Sequence, residues 1–113
     1  MYRQVLVHED DRHLQRILWR EEESDPIQTF ELNTLTYGTA SASYLSTRCL
    51  WQVGQQQDDE LIKYIIQKDF YVDDLITGSD DAQELIYIHN SVSQALKSAC
   101  FNLRKFETNN SSI

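Results

Sequence analysis

A chain of 113 residues with 41% hydrophobic content has enough apolar material for one modest core, so a single domain or part of one is expected. The formal net charge of -8 counts against a stand-alone binder of nucleic acid, which gains most of its affinity by neutralising phosphates with Lys and Arg. No apolar run approaches the roughly 18 residues of a membrane span, and the start Met1-Tyr2-Arg3-Gln4 lacks the basic flank and apolar stretch of a secretory signal. The sequence therefore reads as soluble and intracellular. Cys49 and Cys100 lie far apart with no Cys or His at ligand spacing, which supports neither a disulfide framework nor a zinc site.

In chain order, residues 1–7 are short and mixed, and the charged stretch 8–13 reads as a loop or one helical turn. Residues 14–20, with Ile17, Leu18 and Trp19, read as a strand. A polar break carrying Glu21, Glu22, Glu23 and Asp25 separates it from a second strand over residues 27–35, the order of an antiparallel hairpin. A turn at residues 36–39 precedes a helix through Tyr44, Leu45, Cys49 and Val53, which Gly54 and the following glutamines are expected to end. Leu61, Ile62, Ile65 and Ile66 recur at helical spacing, so residues 58–67 form a short amphipathic helix.

Phe70 to Ile76 then places β-forming residues on both sides of Asp73 and Asp74, the outline of a tight hairpin with carboxylates at its tip. Asp80 or Asp81 caps a last helix, with Glu84 placed for a capping box behind Asp81. Its apolar stripe is Leu85, Ile88, Val92, Ala95, Leu96 and Ala99. Residues 101–106 read as a final strand, and residues 109–113 as a loose tail.

Two adjacent aspartates at a hairpin tip repel each other, and a bound cation resolves that conflict. Hard oxygen ligands without His or Cys favour Mg2+ or Mn2+ over zinc, and nucleotidyl transfer uses two such ions about 4 Å apart. An isolated Asp-Asp between strands is in most cases only a solvated turn. Here the surrounding residues carry more.

Asp69-Phe70-Tyr71-Val72-Asp73-Asp74-Leu75-Ile76-Thr77-Gly78 resembles the catalytic turn of reverse transcriptases, especially those of Pao/BEL-type LTR retrotransposons. Tyr2-Arg3-Gln4-Val5-Leu6-Val7-His8 with Asp10-Asp11-Arg12 looks like the segment after the first catalytic aspartate of that family. Leu32-Asn33-Thr34-Leu35-Thr36-Tyr37-Gly38-Thr39-Ala40 with Thr47-Arg48-Cys49-Leu50 looks like its template- and nucleotide-contacting helix entry. Phe101-Asn102-Leu103-Arg104-Lys105-Phe106 resembles the region that closes the palm. The four stretches stand in family order and span nearly the whole chain.

The resemblance implies an α+β fold over residues 1–108. It would be a partial polymerase palm, an antiparallel sheet of three or four strands with a catalytic-type hairpin, packed against two longer helices. It implies RNA-directed DNA polymerisation in a full-length context, with template-primer and deoxynucleotides as partners and Mg2+ or Mn2+ as cofactor, in the cytoplasm or a virus-like particle. Asp73 would ligate metal, with Asp74 supporting it. Tyr2 would exclude a ribose hydroxyl, Gly38 would let the backbone approach the nascent base pair, and Lys105 would lie near the triphosphate. Tyr37, Tyr71 and Val72 join them as substrate contacts.

The resemblance also sets limits. The family's first catalytic aspartate precedes the segment that starts here at Met1, and the fingers and thumb are not represented, so this chain alone is expected to be inactive. Ser43 and Glu9 stand where the family usually carries proline, and Ala99-Cys100 replaces a glycine-containing turn. The alternative is a non-catalytic retroelement remnant or an acidic interaction module.

Overall fold

The computed structural model describes residues 1–113 and is α+β, divided into two compact units, Met1–Ser46 and Thr47–Ile113. In the first unit, a 3-10 turn over Tyr2–Gln4 is followed by another over Glu9–Leu14, which His8 caps by accepting the Asp10 N–H at Nδ1, 3.2 Å away. Strand β1 (Arg16–Trp19) pairs antiparallel with β2 (Gln28–Glu31), in a register that sets Ile17 opposite Phe30 and Trp19 opposite Gln28. Gln15 extends the clasp beyond the strands: its backbone carbonyl accepts the Leu32 N–H, and its side-chain amide donates to the Leu32 and Thr34 carbonyls.

In place of one sheet of three or four strands there are two separate two-stranded sheets. The expected strand over residues 101–106 does not form, and the opening residues do not supply another. Residues 2–4 and 9–14 curl into 3-10 turns, so between them only Leu6 remains extended enough to bridge, to Thr34, with Val7 N–H donating to Asn33 and Leu35 N–H to Val5. Both strands of the β1–β2 hairpin are also shorter than the β-forming runs that contain them.

Helix α1 (Ala42–Gln55), whose first turn belongs to the preceding unit, ends among Gly54 and the glutamines that follow it, where its end is expected. Gly54 is buried, and a Cβ on it would stand 2.8 Å from Gln67 Cγ and 3.2 Å from Ile66 Cγ2. The glycine that reads as a helix breaker is thus where α1 meets α2 (Glu60–Lys68) closely. Gln67 completes the junction by donating to the Trp51 carbonyl and to Gln55 Oε1.

Helix α2 buries Ile62, Ile65 and Ile66, while Leu61 stays on the exposed side. Helix α3 (Ala82–Ser98) buries Ile88, Val92, Ala95 and Leu96 at the expected stripe positions. Asp81 caps α3 by accepting the Gln83 N–H at 3.0 Å, but the capping box is not closed. Glu84 instead accepts from the Ser79 hydroxyl, whose oxygen accepts the Asp81 N–H.

The exit from α3 is a Schellman motif without glycine. Phe101 N–H donates to Leu96 O and Cys100 N–H to Lys97 O, with Cys100 left-handed at φ +66° and Phe101 buried. Residues 101–106 form no strand, because left-handed backbone at Cys100 and at Lys105, φ +58°, interrupts the extended path near both ends.

A side-chain hydrogen bond ties the N-cap of α2 to α3. Asp59 caps α2 by accepting the Leu61 N–H at 2.9 Å, and its other oxygen accepts from the Tyr87 hydroxyl at 2.5 Å. The Tyr87 hydrogen bond, then the Leu61 N–H, holds the Asp59 carboxyl below its ordinary value, and the same Asp59 bond holds Tyr87 above its own. The lowered carboxyl adds stability above the usual carboxylate range of about 4, lost as pH falls through and below it. The raised tyrosine adds stability below about 10, lost as pH rises past it. The difference in melting temperature between wild type and Tyr87→Phe is therefore expected to be full near neutrality and to close on both flanks. Thermal scans by circular dichroism across pH measure it.

Candidate active-site hairpin

Helix α2 runs directly into the hairpin through Asp69, a residue to which the sequence motif gave no separate task. Its N–H closes the helix on the Ile65 carbonyl. Its own carbonyl accepts the Ile76 N–H at 3.1 Å, and its carboxylate accepts from the Thr77 hydroxyl at 2.8 Å. Asp69 and Thr77 thus clamp the two legs of the hairpin at its base. No periodicity marks this role, because both residues lie outside the strands they secure.

Strand β3 (Phe70–Tyr71) pairs with β4 (Asp74–Leu75), Phe70 opposite Leu75 and Tyr71 opposite Asp74, leaving Val72 and Asp73 as a two-residue turn. Val72 has φ +56°, and Asp73 is not in the positive region. Positive φ at the first central position alone is the pattern of a type II′ turn, where glycine is the usual occupant. A β-branched side chain there crowds its own backbone and stores about 1–3 kcal/mol of strain.

The consequence is a tip on which Tyr71, Val72, Asp73 and Asp74 are all exposed. The two ion pairs of the chain, His8–Asp10 and Arg16–Glu31, lie elsewhere, so no cation of the protein neutralises the tip. No group of three or more His, Cys, Asp or Glu side chains is arranged so that it could hold a metal ion. Asp73 and Asp74 offer oxygen donors of the kind Mg2+ and Mn2+ prefer, yet two carboxylates from one turn supply only one side of a two-ion site. The donor set present does not hold two ions by itself.

The other residues assigned by resemblance fall in two places. In the first unit, Tyr2 is half-buried and stacks obliquely on Tyr37, with ring centroids 4.8 Å apart, and Gly38 follows at φ +88° in the turn before α1. At that angle any other residue would be strained, which is the ordinary reason for a glycine in a turn. In the second unit, Lys105 is exposed on the segment after α3. An apolar recess lies behind β4, between Leu75, Leu85, Ile88, Val92 and Phe106, with His89 set edge-on to Phe106 at 4.1 Å. It faces the α3 side and offers little for a phosphate.

No family model, no curated protein and no solved structure matches the chain. No helix is long and apolar enough to cross a membrane.

Proposed function

We propose that these residues are palm sequence of a reverse transcriptase similar to those of Pao/BEL-type retrotransposons. In that reading Asp73 ligates a hard divalent ion and Asp74 supports it during two-metal transfer of deoxynucleotides. One observation carries the reading: two adjacent carboxylates stand unpaired on a strained hairpin tip, held out by a valine in left-handed backbone. Strain of this kind persists only where surrounding structure enforces it, as Asp69 and Thr77 do here at the base. A carboxylate from a further strand completes the ion pair, and basic surface from neighbouring segments holds the triphosphate and the template-primer. By itself this chain, with its net charge of -8, binds nucleic acid weakly and does not polymerise.

Within the same reading Tyr2, braced by Tyr37, is the residue that senses the sugar of the incoming nucleotide. The test is Mg2+-dependent primer extension by a polypeptide that supplies the upstream strand, fingers and thumb, with and without Asp73→Asn. Equal extension by both would remove the metal-binding assignment. Extension by the 113-residue chain alone would show that the missing carboxylate is not required.

A further inference from the structure

The β1–β2 hairpin is exposed on every residue of both strands. Its register separates two faces. One carries Ile17, Trp19 and Phe30, the two rings meeting edge-on at 6.4 Å. The other carries Leu18, Thr29 and the Arg16–Glu31 ion pair at 3.1 Å. On the first face Ile17 is 43%, Trp19 54% and Phe30 41% exposed, a contiguous apolar surface on an element that has only two strands.

A two-stranded ribbon is marginal in water, and each of these strands keeps one edge without a partner strand. The loop that joins them carries Glu21, Glu22, Glu23 and Asp25 against a single Arg20, all exposed, while Arg16 is already committed to Glu31. The apolar face therefore ends in a strongly acidic rim. That charge decides between occupants: nucleic acid is repelled, and a second copy would bring its own acidic loop to the contact.

We propose that this ribbon is a docking edge for a basic extended peptide segment. The segment adds as a third strand, places alternate apolar side chains on Ile17, Trp19 and Phe30, and sets Arg or Lys against the acidic loop. Main-chain pairing supplies the affinity, and the charge and the apolar face supply the selection. The inference rests on the first unit alone and stands apart from the metal-binding reading of the β3–β4 hairpin.

A labelled synthetic peptide of about eight residues alternating Arg and Val, matched to the usual strand length, tests this by fluorescence anisotropy against the 113-residue chain in physiological salt. Micromolar binding is expected, with Arg/Ser and Glu/Val peptides weaker by about tenfold or more. Phe30→Thr should weaken the Arg/Val peptide by a similar factor. Combined Glu21→Lys, Glu22→Lys and Glu23→Lys should do so too and gain the Glu/Val peptide. Amide resonances of β1 and β2 that keep their wild-type dispersion confirm that the hairpin of each variant is folded, as expected for exposed positions. The proposal is overturned by no binding to wild type, by equal binding of the Arg/Ser peptide, or by indifference of either variant. A wild-type dimer that Phe30→Thr dissociates would also overturn it, by assigning the face to a second copy.

Discussion

Asp73→Asn, placed in a polymerase that contains these residues with the upstream strand, fingers and thumb, is expected to lower kcat for primer extension by about 10³-fold with little change in KM for the nucleotide. A divalent ion contributes several kcal/mol of transition-state stabilisation at the transferring phosphoryl group, and about 4 kcal/mol corresponds to that factor. The amide keeps the size of the side chain and one oxygen but loses the charge that retains the ion. A loss confined to kcat marks an interaction made in the transition state, whereas a rise in KM alone would mark nucleotide binding. Asp74→Asn should cost less, since the neighbouring carboxylate supports the site rather than bridging it. Single-turnover extension at saturating Mg2+ reads both variants.

Ile66→Ala is expected to destabilise the second unit by about 2–5 kcal/mol, because Ile66 is 1% exposed and sits where α2 meets Gly54 of α1. The glycine contributes no side chain there, so nothing can swing in to fill the space, which points to the upper part of that range. Folded domains of this size hold only about 5–15 kcal/mol, and a loss of this order lowers the melting temperature by roughly 10 °C or more. Urea unfolding followed by circular dichroism measures it. Since α2 leads into the hairpin through Asp69, the same change should loosen the tip, seen as faster amide exchange at Asp74 and Leu75.

What could be read from the sequence follows the strength of the local signals. The spacing of Ile62, Ile65 and Ile66, and of Ile88, Val92 and Leu96, marks two helices whose buried faces are the ones found. Asp59 and Asp81 cap them, Asp59 one residue inside the expected start and Asp81 as one of two candidates. The β3–β4 hairpin was legible because β-forming residues flank a pair of turn-forming acids. Gly54 with the glutamines after it marks the end of α1, while the close approach to Ile66 and Gln67 that only a glycine permits leaves no signal in the sequence. The end of α3 was legible to within a residue, its C-cap Ala99 being the last expected stripe position, although the left-handed backbone that closes it at Cys100 gives no glycine signal.

The larger sheet fails because the β1–β2 and β3–β4 hairpins stay separate sheets and residues 101–106 form no strand. Residues 1–7, short and mixed, add only one bridge, Leu6 to Thr34. For the candidate site, Asp73 and Asp74 stood out by their motif, whereas the two features that hold them in place did not. Val72 is of a type that normally avoids positive φ, and Asp69 acts through a hydroxyl eight residues away. Neither leaves a pattern in composition or periodicity.

The most direct measurement follows amide resonances of this chain while Mn2+ is added, because the paramagnetic ion broadens only what lies close to it. Broadening is expected first at Tyr71 to Leu75, with a dissociation constant on the order of millimolar for an incomplete oxygen site, and lost in Asp73→Asn. Broadening centred instead on the Glu21 to Asp25 loop or on Asp58 to Glu60, with the hairpin tip unaffected, would contradict the reading of Asp73 and Asp74 as the metal-binding pair.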